Sequence, residues 1–401
     1  MLQNFSSKGK TALFVLAALA VVGIGCWVFQ LMNGLGITGM SNVTSWGIYI
    51  AMFMLFVGLS AGGLIVASSA HVFNIESFKT IAKPAVILSI VCICVAGIFI
   101  LIDLGGIQRF WRLFTGPNFM SPLIWDVIII AIYLVINILD LMWMNKGEED
   151  KVKKLSYIAL PVAILVHSVT AWIFGLQIAR AWYTAIMAPI FVASALDSGL
   201  ALLLLALIGL EAAGIIALEE GLLEKLGKLL AVFIAVDAFF IGCELLTMAY
   251  PGAGEAVALN HMLSGATAPF FWFEIICGLL VPFLILAIAK NRSNKTMVIL
   301  ASVLVVLGVA AKRIWLLLTS FITPNIDAGP GISLGTQGAI ADPTAAFATA
   351  GTYAPTLPEL GIVVGVISLG ALAFMILAKK YVDPSAKKAE ASPAAAEAAA
   401  A

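Results

Sequence analysis

Ten apolar runs of about twenty residues or more recur along this 401-residue chain, and nothing else constrains its fold as strongly. They are Thr11–Leu31, Trp46–His71, Ala82–Asp103, Pro122–Trp143, Leu155–Ile178, Ile190–Ile216, Leu229–Tyr250, Pro269–Ala289, Thr296–Thr319 and Pro358–Ala378. A bilayer core offers no water to the backbone, so a crossing segment must satisfy its own amides, as a helix does. Continuous runs of this length predict an all-α, polytopic membrane protein of about ten transmembrane helices. Composition agrees: 62% of residues are hydrophobic, 11% are charged and the mean hydropathy is +1.09, which excludes an ordinary soluble domain. The first run follows Lys8 and Lys10, but it is too long for a signal-peptide core and lacks a small-x-small cleavage site, so it is read as a helix.

Between the third and fourth runs lies Asp103–Asp126, DLGGIQRFWRLFTGPNFMSPLIWD, a turn-rich stretch holding Arg109 and Arg112 among aromatic residues. Of the 22 Lys and Arg, 17 fall on the opposite side of the membrane, and only Arg109, Arg112 and Arg180 share its side. Lys312 and Arg313 lie inside the ninth run. Positive charge is retained in the cytoplasm, so both termini are expected there, in a cell inner membrane, with the arginine loop outside. A basic, aromatic loop on a charge-poor face suits a docking or substrate-access surface. Asp103 and Asp126 are expected to cap its two ends. The tail after Tyr381 is low in complexity and is expected to be disordered. No nucleic-acid partner is expected; lipid surrounds the chain.

The cysteines Cys26, Cys92, Cys94, Cys243 and Cys277 all lie in apolar runs, without CxxC or CxxCH spacing, so no iron–sulfur cluster or c-type haem is expected. His71, His167 and His261 fall at three different depths, which opposes a bis-imidazole haem. No metal site is expected. Ionisable groups within spans are costly and mark functional or pairing positions: His167 near mid-membrane, Asp197, Glu244 and Glu274 in the outer half, and Asp237 deeper. Asp237 and Glu244 are seven residues apart, on one helical face. Two readings stay open: pairing with Lys312 or Arg313 to hold helices together, or a proton route through Asp197, Asp237 and Glu244. Gly58, Gly62 and Gly63 form a small face for close helix packing.

Several segments in this order resemble the NrfD-like family, the membrane subunits of polysulfide reductase and related respiratory complexes. They are Trp46–Gly63, Asp103–Asp126, His167–Gly175 and Trp182–Gly199, and Tyr353–Glu359 resembles the ten-helix branch. Where family members commonly carry Arg-Pro after Asp-Leu-Gly, this chain has Gly106 and Ile107, so Arg109 or Arg112 must substitute. The resemblance implies two four-helix bundles, 46–180 and 181–322, preceded by a flanking helix and loop (1–45) and followed by a long outer loop (323–357), a last helix (358–380) and the tail (381–401).

It further implies a subunit without bound cofactor that exchanges electrons between quinone, such as menaquinone, and a ferredoxin-like iron–sulfur protein on the outer face. That protein would lead to a molybdopterin catalytic subunit or a multihaem cytochrome. Such a chain is a quinone-reactive part of an oxidoreductase of anaerobic respiration, with no catalytic residue for the other substrate. The quinone pocket then lies in the first bundle, bounded by Trp46, Tyr49, Asp103, His167 and Trp172, with Asp103 or His167 exchanging the proton and Arg109 and Arg112 docking the partner. The rival reading is a polytopic secondary transporter, whose halves would be repeats with helices broken at mid-membrane. Most prolines here cluster near span ends instead.

Overall fold

The computed structural model describes residues 7–178, 180–252, 255–323 and 351–382. Most of the long outer loop and of the tail (324–350 and 383–401) lies outside the described residues. Ten helices are long and apolar enough to cross a membrane. They are α1 (Ser7–Asn33), α2 (Ile48–Val72), α3 (Glu76–Asp103), α4 (Pro122–Lys146), α5 (Glu149–Gly175), α6 (Met187–Ala212), α7 (Leu222–Ala249), α8 (Ala268–Ala287), α9 (Lys295–Ile322) and α10 (Leu357–Tyr381).

The helices outlast the apolar runs where local chemistry extends them. α5 begins six residues before Leu155, because Glu149 and Asp150 occupy its first turn and complement the helix dipole. The polar KGEEDKVKK stretch is therefore mostly helix, and only left-handed Gly147 and Glu148 make the turn from α4. Asn294 caps α9 by accepting from Thr296 N at 2.9 Å. Thr356 and Glu359 form a reciprocal capping box on α10. α8 is irregular: Phe273–Leu280 winds as a π-helix, and Pro282 just beyond cannot donate an α-type hydrogen bond back into it. The loop before α8 carries its own helix, Glu255–Leu263, which includes His261.

Helices α2, α3, α4 and α5 pack in a closed ring, and α6, α7, α8 and α9 in a second. α2 and α5 meet α6 along the seam, with α9 also against α2, while α1 and α10 form a pair that leans on α3. Burial follows this plan: 89% of the apolar window of α2 is buried in the protein against 17% for α1, so α2 is the axis and α1 faces lipid. The seam needs small residues. A Cβ on Gly62 would stand 2.4 Å from Gly199 Cα, so α2 and α6 touch backbone to backbone there. Gly63 meets Ala85 of α3 in the same way, whereas Gly58 is in ordinary contact with Ala195. Ten helices running alternately up and down leave the start of α1 and the end of α10 on the Lys-rich face and Arg109 on the opposite one.

Candidate functional site

At the Arg109 end of the first ring, four helices aim polar side chains at one another. Tyr49 of α2 is fully buried and donates to Gln30 Oε1 of α1 at 2.6 Å. Gln30 Nε2 donates to Ile102 O at 3.2 Å, which ties α1 to the end of α3. Asp103, the last residue of α3, is within electrostatic reach of Tyr49, and its buried Oδ1 has no partner among the described residues. Glu359 of α10 closes the group: it accepts from Gly39 N (2.8 Å), Thr356 N (2.8 Å) and the Tyr353 phenol (2.7 Å). Tyr353 in turn accepts the Ile48 amide at 2.9 Å, holding the start of α2. Burial and the adjoining Glu359 carboxylate push the Tyr353 phenol well above its ordinary range, so it stays protonated and donating.

The five residues expected to bound one pocket are not brought together. Tyr49 and Asp103 share this cluster. Trp46 turns away into an aromatic seam, stacked on Trp182 at 6.2 Å and edge-on to Phe174 at 5.6 Å. Trp172 is 37% exposed on the outer wall of α5. His167 is buried beside the backbone of Val57 and Gly58 and feels the charge of Arg313 across the seam. Neither of its ring nitrogens has a hydrogen-bond partner among the described residues. Asp126 is no loop cap: α4 starts at Pro122, and four residues in, Asp126 is buried and accepts from Thr170 Oγ1 at 2.6 Å. Gln30, Tyr353 and Glu359 stand outside the expected site residues, although Tyr353–Glu359 is the segment that resembles the ten-helix branch and carries the Thr356-x-x-Glu359 capping pattern.

Arg109 and Arg112 stand exposed on the loop above, where Ile107–Arg109 and Arg112–Thr115 make single helical turns. They line an open hollow of ≈ 450 Å³ with Leu104, Phe110, Leu123 and Ile124. Leu104, which lines the hollow, directly follows Asp103 of the polar cluster. Trp111, Phe114, Phe119 and Met120 are exposed around it.

The second ring holds an ionic cluster on α9. Lys312 Nζ lies 2.9 Å from both oxygens of Asp237 (α7) and 3.2 Å from Glu274 Oε1, all of them buried. Trp315 Nε1 donates to Glu274 Oε2 at 2.5 Å, and the π-helical turn presents Glu274 at that point. Arg313 faces the other way. It donates to Ser194 Oγ at 2.6 Å and lies over the Phe191 ring at 4.0 Å. Asp197 is fully buried with neither oxygen hydrogen-bonded among the described residues, within the field of Asp237 and Lys312. Glu244 sits apart from this cluster and accepts from Thr184 at 3.1 Å. A narrow apolar cavity of ≈ 40 Å³, lined by Trp182, Ile190, Leu245 and Trp315, lies between Glu244 and Lys312. Both structural pairing and a titratable group are therefore present in the ring. Glu274 and Lys312, absent from the expected proton route, are at its centre.

A family model described as polysulphide reductase, NrfD, matches residues 36–325. The chain is 39% identical to a putative dimethyl sulfoxide reductase membrane subunit of Halobacterium salinarum, covering 94% of this chain and 92% of that protein. It is 27% identical to a selenate reductase subunit of Mesobacillus selenatarsenatis, over 90% and 91%. It is 28% identical to the Hdr-like menaquinol oxidoreductase integral membrane subunit of Archaeoglobus fulgidus, over 92% of each.

Proposed function

Given that the chain belongs to the polysulphide reductase NrfD family, as the match over residues 36–325 establishes, we propose that it passes electrons between membrane quinone and a partner docked over Arg109 and Arg112. The partner is an iron–sulfur protein that serves a molybdopterin subunit or a multihaem cytochrome. The observation that carries the reading is the convergence of Gln30, Tyr49, Asp103 and Glu359 beneath the arginine loop, at the edge of an otherwise apolar ring. The three relatives named above are membrane or complex subunits of reductases and a menaquinol oxidoreductase, and none is named as a transporter.

Quinone reduction takes two electrons and two protons, and quinol oxidation returns them. The second amide hydrogen of Gln30 suits a quinone carbonyl, and the free Asp103 Oδ1 is placed to give or take a proton. Arg109 and Arg112 suit a carboxylate-rich partner surface, because each guanidinium offers a planar fork of donors. On this reading Trp46, His167 and Trp172 belong to the seam and the lipid wall, outside the pocket. The Asp237–Lys312–Glu274 cluster, with Asp197 and Arg313, sets two cations against three carboxylates. A buried net charge is costly, so the cluster favours holding one proton, and the cavity toward Glu244 gives that proton an exit.

Tyr49→Phe removes only the hydroxyl that orients Gln30, and Asp103→Asn removes the proton carrier. Each is expected to slow menaquinone-linked turnover about tenfold or more while dye-driven activity of the partner persists. Wild-type quinone kinetics in both variants would overturn the pocket. Orientation is tested separately: Thr115→Cys, exposed on the loop, should react with an impermeant thiol reagent added outside intact cells. Reaction only after permeabilisation would reverse the sidedness and move the partner to the other face.

A further inference from the structure

We propose that the groove between α7 and α8 on the Lys-rich side of the second ring binds one anionic phospholipid, its phosphate held by Lys228 and Arg292 and an acyl chain laid along the groove. Such a site stands whether or not the chain handles quinone. Lys228, Val232, Val236 and Phe239 recur at intervals of four, four and three residues, so they share one face of α7. With Phe283 of α8 they wall an open groove of ≈ 420 Å³, and small Ala231 and Ala235 give it depth. Val232, Val236, Phe239 and Phe283 are all exposed. Only 22% of the apolar window of α7 is buried in the protein, so the groove faces lipid.

Its length fits one leaflet. Lys228 and Phe239 are about 16 Å apart along the helix axis. Half of a hydrocarbon core is roughly 15 Å. A chain lying in the groove with its headgroup at Lys228 therefore ends near the bilayer midplane.

The backbone brings a second cation to the mouth. α8 ends at Ala287, Ile288 is extended, and Ala289–Arg292 makes a single helical turn. Asn291 Nδ2 donates to the Ile285 carbonyl at 3.0 Å, which folds this turn against the end of α8. The stem of Arg292 then lies on Gly227, where a Cβ would stand 3.4 Å from its Cγ. Gly227 immediately precedes Lys228, so cations from two separate segments converge on one opening.

Neither cation is used by the protein. No carboxylate lies within ion-pair distance of Lys228 or Arg292 among the described residues, and Glu224, one turn before Lys228, is no exception. Lys295, on the same face, is by contrast paired with Glu211 at 2.7 Å. The Nε of Arg292 is buried and has no hydrogen-bond partner among the described residues. A buried donor left unmet is costly, and a phosphate oxygen meets it. A guanidinium takes phosphate through two parallel hydrogen bonds, and an ammonium adds a point charge. Basic pockets between helices at the bilayer surface select anionic headgroups in this way. A quinone head brings no charge to two cations, and a zwitterionic lipid brings a third cation with its phosphate.

A lipid held here ties α7 to α8 at their Lys-rich ends. Deeper in the membrane, Lys312 of α9 already joins the same two helices through Asp237 and Glu274. Between these ties α8 winds as a π-helix, so the lipid steadies the part of the ring whose backbone is least regular.

The test uses the full chain, purified in detergent, stripped of lipid and titrated with phosphatidylglycerol or phosphatidylcholine under native mass spectrometry. The wild type should hold one phosphatidylglycerol about tenfold more tightly than phosphatidylcholine. Lys228→Gln with Arg292→Gln should weaken phosphatidylglycerol about tenfold or more and leave phosphatidylcholine unchanged. Lys228→Gln alone, at an exposed position, should weaken it several-fold and serves if the double variant fails to fold. Ala235→Trp fills the groove without touching charge and should weaken both lipids. Phosphatidylglycerol should also raise the unfolding temperature of the wild type but not of the charge variants. Equal binding of the two lipids by the wild type overturns the site, as does undiminished phosphatidylglycerol binding in the charge variants or in Ala235→Trp. Displacement of phosphatidylglycerol by equimolar menaquinone would overturn it too, giving the groove to quinone.

Discussion

Both rings bury acids, and the second also buries two cations among them. Lys312 and Arg313, the buried Lys and Arg side chains among the described residues, are adjacent on α9, and Lys312 holds Asp237 and Glu274 at ion-pair distance. In the first ring Asp126 has a single hydroxyl partner and Asp140 has none among the described residues. A paired acid contributes to structure and gives up its charge reluctantly; an unpaired one contributes no cohesion and changes protonation more readily. The difference divides the molecule: charge holds Asp237 and Glu274 in the second ring, while Asp126 of the first rests on a hydroxyl.

The sharpest way to break this comparison is to remove one charge from each ring. Lys312→Met strands Asp237 and Glu274 and is expected to destabilise the second ring by about 3–5 kcal/mol. Asp140→Asn strands nothing and should leave the unfolding temperature in detergent unchanged or slightly raised. Equal losses would erase the distinction.

The rings should also differ in how electrons reach them, since the arginine loop overhangs only the first. Reversing Arg109 and Arg112 to Glu is expected to weaken partner binding about a hundredfold, read by co-purification and by titrating partner back onto membranes. A complex that survives this double change intact would move the docking surface elsewhere.

The smallest effect concerns protons in the second ring. Asp237→Asn keeps the hydrogen-bonding shape but removes the charge facing Lys312. A few-fold fall in turnover, with membrane charging lowered in proportion, is expected if Asp237, Asp197 and Glu244 pass protons. Normal turnover and charging would leave them as helix-pairing groups.

Much of the fold is legible in the sequence, because the bilayer reduces folding to a question of length. Runs of apolar residues mark all ten helices, and the errors lie at ends where charged residues such as Glu149 continue a helix past its apolar part. Tyr49 and Asp103 can be placed at one level by counting residues from the loop. The side chains around them cannot be counted, since Gln30 and Glu359 arrive on helices whose place depends on α1 meeting α10. His167 is near the middle of its span, but nothing local says which way a central helix is turned, and it faces the seam. The polar face of α4 is spelled out at positions 126, 133, 137 and 140. Asp126 reads as part of the loop and Tyr133 and Asn137 carry no charge, so Asp140 is the one member of that face that stands as a charged residue inside its run.

The pairing of α1 with α10 has a consequence for biogenesis. Gly39 and Glu359, bonded across the pocket, are 320 residues apart in the chain. Gln30 rides on the first of the ten helices to leave the ribosome and Glu359 on the tenth, and the two helices touch at Gly23 and Gly365 with no room for a side chain between them. The polar wall around Tyr49 therefore cannot close until the tenth span has been inserted. On the quinone reading, a subunit that lacks α10 would have its pocket unfinished, and redox competence would come as a late event of synthesis.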